Sequence, residues 1–500
     1  MEASLSKTSV SCLKKVYCAC FSREETAEAV VPDVMPDIGE ITCADGTVYL
    51  RGKEVAAGRL TLTGTVLATV LYLPEGESCP RRLSIELPYS ISAESPALTE
   101  QCLASATVRL AYVEARTLNP RKVHVRAGLC VRAACYAPGE IALGTAVPPE
   151  CGADIHTKTE TVSAAPVTGV WEKTFVLTDE YPLPASRAAA SELIGQNMEL
   201  TAEDVKVVGS KLIFKGTAKA NLLWYGEDGA LNAAAFASGF SQILEIGEVG
   251  ELADTQIELM LTGAYFELLQ SANGGQIVSA ELHVLAQAVC AEDIPLEYIA
   301  DAYSNALQLE LCFGASEQLT AERPLTLRDS MRGLVETSFP VREVIQVLAD
   351  VGPWTAENDG FACPIHVKLL LRDEEGATRG VVRSFSAQFK SEADCGAEIE
   401  LRAVHCTELY ATPAAGGVEV RLLAEAQAAV CTAVTVTPVD SISGDEENPP
   451  DLSELPSVVV LPRRDGDLWE LAKRYHSTTE LIEKANSSLT GSVLLVPRAR

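Results

Sequence analysis

The chain is short of basic residues. Forty Lys and Arg stand against 69 Asp and Glu in 500 residues, a formal net charge of −29. Binding nucleic acid without regard to sequence needs a basic surface, so that class is excluded. An anionic membrane surface is excluded as a direct electrostatic partner on the same ground. Aromatic residues are scarce at 6%, and Ala and Val carry much of the apolar content. No apolar run approaches the roughly 20 residues that a membrane-spanning helix needs. The opening MEASLSKTSVSCLKK lacks the apolar stretch of a secretory signal. The 15 cysteines include no Cys-x-x-Cys pair. The expectation is a reducing cytoplasm and free thiols that act as small core residues.

Catalytic patterns are missing too. There is no Gly-x-Ser-x-Gly elbow, no His-Glu-x-x-His helix and no phosphate loop. The histidines at 124, 156, 283, 366, 405 and 476 are widely separated, and four of them fall in strand patterns. Acid pairs such as Glu24-Glu25 lie in extended segments rather than in a pattern that would shape a dry pocket. No catalytic residue, metal ligand or cofactor is expected.

What is present is β alternation, and it recurs. Arg59–Leu73 reads RLTLTGTVLATVLYL. Leu60, Leu62, Val66, Ala68, Val70 and Tyr72 share one face, with Gly64 among them, and threonines occupy the other, as in a half-buried strand. Lys211–Tyr225, KLIFKGTAKANLLWY, repeats the pattern when Gly216 is set on Gly64. Phe361–Arg372, FACPIHVKLLLR, is a weaker third copy. Each copy runs into an acidic turn bearing Gly76, Gly229 or Gly376, where glycine supplies a positive φ. Long hairpins follow, with arms Ala104–Ala115 and Val123–Tyr136, Ile257–Leu269 and Ile277–Cys290, and Ile399–Tyr410 and Val418–Cys431. Their return arms place Cys135, Cys290 and Cys431 alike, as small residues that close a strand.

The expected fold is mainly β, with three tandem antiparallel, sandwich-like domains over 1–150, 151–310 and 311–437. Helical pattern is scarce in this part; Ser186–Leu193 and Asp293–Ala302 are the best short candidates. Pro32-Asp33 and Pro36-Asp37, in VPDVMPDI, break any helix. They read either as turns that set a strand's entry angle or as an interaction motif.

An acidic linker, 438–456, holds six acids, no base and Pro449-Pro450. The last module, 457–500, has seven Lys or Arg against five Asp or Glu; its +2 leaves −31 on the rest of the chain. Val458–Leu461, Leu468–Tyr475, Glu480–Ala485 and Val493–Val496 predict a β-α-α-β order, with Asp467 capping the first helix. Leu468, Leu471, Ala472 and Tyr475 define that helix's buried face, and Trp469, about 100° away, is expected partly exposed as a contact residue. Gly466, Asp467, Leu468, Trp469 and Asn486 are expected to border the contact surface, on a tether that leaves the module free to search.

The string Asp465-Gly466-Asp467-Leu468-Trp469, with Leu471-Ala472, Tyr475, Leu481-Ile482, Ala485-Asn486 and Leu494-Leu495-Val496-Pro497, resembles a LysM domain. In that family, sugar binds between the loop after the first strand and the loop after the second helix. The upstream repeats, with Val31-Pro32-Asp33 and Met35-Pro36-Asp37-Ile38, resemble the SPOCS domains of spore-coat assembly proteins. The two resemblances together imply a non-enzymatic adaptor on the mother-cell side of the forespore surface, in the cytoplasm. They imply the coat's basement-layer ATPase as its partner. The alternative is a LysM-mediated binder of peptidoglycan, an N-acetylglucosamine polymer, or of its precursors. An enzyme tethered to a LysM module is the third class, and it lacks a catalytic constellation.

Overall fold

In the computed structural model the described residues are 2–77, 79–149, 154–271, 274–357, 360–390, 398–445, 456–462, 467–487 and 493–499. The fold is mainly β. Strands β1 to β7 are Glu2–Ser4, Ser6–Val30, Ile38–Ala56, Arg59–Pro74, Arg81–Glu94, Leu103–Asn119 and Lys122–Ala146. Strands β8 to β15 are Ile155–Ala164, Val167–Pro182, Ala190–Val208, Lys211–Gly226, Leu231–Glu245, Asp254–Gln270, Gln276–Ala291 and Ile294–Ser304. Strands β16 to β24 are Gln308–Phe313, Glu317–Glu336, Val341–Val351, Thr355–Glu357, Gly360–Asp373, Thr378–Lys390, Glu398–Ala414, Gly417–Val436 and Val439–Asp445. The C-terminal module follows as β25 (Val458–Pro462), α1 (Leu468–Arg474), α2 (Thr479–Asn486) and β26 (Val493–Pro497). No described helix is long and apolar enough to cross a membrane.

One pairing plan occurs three times. A long strand pairs with the return arm of a hairpin, in the orders β2-β7-β6, β9-β14-β13 and β17-β23-β22. A three-stranded meander faces each set, in the orders β3-β4-β5, β10-β11-β12 and β18-β20-β21. The alternating stretch that opens with Arg59 is β4, the middle strand of the first meander, and Lys211–Gly226 is the middle strand of the second. Gly64 lies opposite Tyr89, and Gly216 opposite Phe240. A Cβ on Gly64 would stand 2.1 Å from the Tyr49 carbonyl oxygen and 2.3 Å from the Tyr89 hydroxyl. A ring thus lies over the bare backbone in both copies, which is why glycine sits there. The acidic turns place Gly76, Gly229 and Gly376 at φ of 80°, 76° and 88°, the region that favours glycine.

The three sets meet through shared cores. Leu71, Ile194, Leu223 and Leu370, from three different meanders, form one apolar cluster. Beside it Lys368 pairs with Asp350 at 2.8 Å and with Asp45, and Asn197 donates to Asp45 at 3.2 Å. At one end, short strands zip each set closed. The start of β2 pairs the end of β7, β8 pairs β15, and β16 pairs β24. These ribbons bury Cys12, Leu143, Leu296, Leu319 and Val436 together.

Two local expectations give way. Asp293–Ala302, read as a helix candidate, lies almost wholly in β15, where Ile294, Leu296, Tyr298 and Tyr303 find partners on β8. Ser186–Leu193 is a turn leading into β10. Residues 439–445, read as the start of the acidic linker, form β24, because Val439 and Ile442 are buried in the ribbon core. Residues 446–455 of the linker lie outside the described residues.

Candidate functional site

Chemistry-bearing side chains gather at two places, and the sequence had singled out residues at both. The first is the Pro-Asp turn. The Arg121 guanidinium, in the turn between β6 and β7, holds the whole loop. Its Nη1 donates to the Met35 carbonyl at 2.7 Å and to Asp37 at 3.0 Å. Its Nη2 donates to the carbonyls of Val31 and Pro32 and to Asp33. The Tyr72 hydroxyl donates to the Pro36 carbonyl at 3.0 Å. The backbone hydrogen bond Val31 N–H to Arg121 C=O recurs as Leu183 to Gln276 and Thr337 to Gly416. Pro32, Asp33, Pro36 and Asp37 therefore fix how the first long strand enters its meander. Asp33 and Asp37 are exposed, but each already accepts from Arg121.

The second place is the seat of the C-terminal module. Pairing between β8 and β15 slips by one residue between Ile299 and Asp301. Such a bulge re-aims the side chains that follow it. On the ribbon, Asp301 sits opposite Lys158 and Tyr303 opposite His156. Asp301, Tyr303 and Lys158 turn toward the module. The Trp469 indole Nε1 donates to Asp301 Oδ2 at 2.8 Å, and Lys473 Nζ lies 2.7 Å from both oxygens of the same carboxylate. Trp469 and Lys473 lie four apart on α1 and so share one helix face. The Trp469 and Tyr303 rings meet edge to face, 4.8 Å between centroids, and the His156 ring lies 5.0 Å from that of Tyr303, tilted by 33°. The Tyr303 hydroxyl donates to the Ser477 carbonyl at 3.0 Å, and Asn305 donates to that carbonyl at 3.2 Å. Lys158 reaches across to Asp467 at 2.9 Å. Charges thus cross the joint in both directions.

Ionisation follows from these contacts. Burial opposes the charge on Asp301, but hydrogen bonds from Lys473 and Trp469 outweigh it and hold the carboxyl below its ordinary value. Asp467 is lowered by Lys158 and by the Trp469 backbone N–H. Burial pushes the Tyr303 hydroxyl up to about 12.

The contact residues read from sequence fare unequally. Trp469 is 8% exposed, not partly solvated; the ring covers Tyr303 of a strand whose presence at this face the module's own pattern could not announce. Together with Ala472 it forms the buried side of α1, while Leu468, Leu471 and Tyr475 are half-buried around it. Asp467 caps α1, accepting from the Trp469 N–H at 2.9 Å. Asn486 is spent inside the module: it donates to the Ile482 and Leu495 carbonyls and accepts from the Leu495 N–H. Gly466 lies outside the described residues. Asp301, Tyr303, Lys158, His156 and Lys473 were missed. Lone charged and aromatic residues on β8 and β15, and a single lysine on α1, carry no motif.

Other clusters are internally paired. A cavity of about 600 Å³ between the three sets is bordered by Arg109, Glu199, Lys219, Arg402 and His405. There Arg109 donates to Glu258 and approaches His405, and Lys219 donates to the Thr407 carbonyl. Glu322, Glu400 and Cys431 lie close enough to share a metal ion. The two carboxylates, however, already engage Lys15, Arg132 and Arg402. Cys135 and Cys290 are buried, and burial pushes the Cys135 thiol up to about 11 and raises that of Cys290. They occupy equivalent places, each opposite the second residue of its hairpin's first arm. Cys290 closes β14, one residue before its last, as the sequence suggests, whereas β7 runs on past Cys135 to Ala146.

Comparison of the chain with protein-family models, curated proteins and solved structures finds no match.

Proposed function

We propose that the chain is a non-enzymatic adaptor of spore-coat assembly, a spore-coat protein with SPOCS-type domains and a LysM-like end. On this reading it works in the mother-cell cytoplasm at the forespore surface, the three β sets form its scaffold, and residues 457–500 contact the basement-layer ATPase. The observation that carries the reading is the joint itself: the module's Trp469, Lys473 and Ser477 grip a protein strand through a carboxylate, an aromatic ring and a hydroxyl. A surface built for these groups suits a protein partner better than a neutral glycan chain. Asn486, beside the loop where a LysM sugar site would lie, has its amide committed to backbone.

The test sets the two partner classes side by side with the full chain. Purified basement-layer ATPase should be retained by the immobilised protein, and purified peptidoglycan should not sediment it. Sedimentation with peptidoglycan and no retention of the ATPase would replace the adaptor with a glycan binder.

A further inference from the structure

The face that holds β15 reads consecutive features of an extended strand. Its first element, the paired donors of Trp469 and Lys473, takes the Asp301 carboxylate. Its second, the indole ring, takes the edge of Tyr303, two residues on and therefore on the same side of the strand. Its third, the Ser477 carbonyl, accepts the phenol hydroxyl. Ala302 between them turns away and is buried in the ribbon core with Ile299 and Val439. The face thus accepts an acidic residue and an aromatic residue spaced by one, presented on an extended backbone.

We infer that this face is a binding site for an extended segment of pattern acid-x-aromatic on another protein, and that Asp301-Ala302-Tyr303 is an internal occupant which the partner displaces. The inference rests on the adaptor reading and names the chemistry of the partner's segment. Two observations make the joint exchangeable. Tyr303 is the one residue from outside the module in the module's apolar cluster among the described residues, so one side chain supplies the apolar part of the joint. The ion pairs around that side chain are partly solvated, with side-chain exposures of 39% at Lys473 and 47% at Asp467, so a partner's acid can reach Lys473 and take the place of Asp301. A partner strand that places a base beside its acid, as Lys158 stands beside Asp301, would also meet Asp467. While β15 is seated, the apparent affinity for any external segment falls by the fraction of molecules open.

The probe is a fluorescent peptide with the sequence of residues 294–304, titrated by anisotropy into the full chain. Asp301→Ala should bind it about tenfold more tightly than wild type, because the internal occupant loses its contact with Lys473 and Trp469 and is open more often. Asp301→Asn, which keeps the side chain's shape, should act in the same direction and stands in if the alanine variant fails to fold. The peptide carrying Asp301→Asn should bind either variant at least about tenfold more weakly, for want of the charge that Lys473 meets. Equal affinity of wild type and both Asp301 variants, or equal affinity for the two peptides, overturns the inference. If the peptides fail while the chain still retains the ATPase, the adaptor reading stands without this site. If the chain takes peptidoglycan instead of the ATPase, the adaptor reading falls first.

Discussion

Glu400 is the carboxylate on which the contact between the first and third β sets turns. It accepts from Arg132 at 2.8 Å and from Lys15 at 2.9 Å, two cations of the first set. Its side chain is 22% exposed and that of Arg132 is 9% exposed. Burial works against its charge, yet Lys15 and Arg132 hold the carboxyl down at about 2, against an ordinary 4.5. At 1.36 kcal/mol per pH unit, and after allowance for solvent at the node's edge, this corresponds to about 2–3 kcal/mol of stability at neutral pH. The folded value is depressed, so the contribution is complete above pH 4.5 and is lost as pH falls from about 4.5 to about 2. Glu400→Gln should therefore unfold at lower urea than wild type at pH 7, by the equivalent of about 2–3 kcal/mol. The gap should shrink through pH 4 and 3. A gap that stays constant across that range would mean that Glu400 acts through shape and not charge, and would refute the reasoning.

Gly64→Ala should destabilise the first meander by about 3 kcal/mol, because its Cβ meets the Tyr49 carbonyl; chemical denaturation measures it, and a loss under about 1 kcal/mol would show that β3 shifts away easily and contradict this cause. Arg121→Ala should leave the fold intact but free the 32–37 turn, at a cost of about 2 kcal/mol, with faster amide exchange at Val31 and Ile38 as the readout. In native protein at pH 7, a maleimide should label the exposed Cys312 within minutes and leave Cys135 and Cys290 untouched; equal rates would contradict their burial.

The strands were legible where one face is buried and the other wet. Leu60 to Tyr72 and Leu212 to Trp224 announce themselves because a period of two survives along the whole of β4 and β11. The hairpins were legible through their turns. Asp293–Ala302 misled because its apolar residues lie beside a bulge, which breaks the alternation at Ala300. Val439–Asp445 was hidden by its acids, which face outward while two apolar side chains hold the strand down. Trp469 shows the limit most clearly. Helical geometry correctly separates it from Leu468, but its cover is supplied by Tyr303, 166 positions earlier in the chain. The joint is built from pairs such as Asp301 with Lys473 and Lys158 with Asp467, and no local pattern records long-range charge complementarity.

The central claim is that the module's Trp469 and Lys473 face is its protein-binding face, occupied here by β15. The most direct measurement is the affinity of the full chain for the purified basement-layer ATPase in wild type, Asp301→Ala and Lys473→Glu. The two substitutions break the same contact from opposite sides. If the face is the binding site, Asp301→Ala should tighten binding and Lys473→Glu should weaken it, each by about tenfold. If both substitutions shift the affinity in the same direction, or neither shifts it, the partner binds elsewhere and the claim is contradicted.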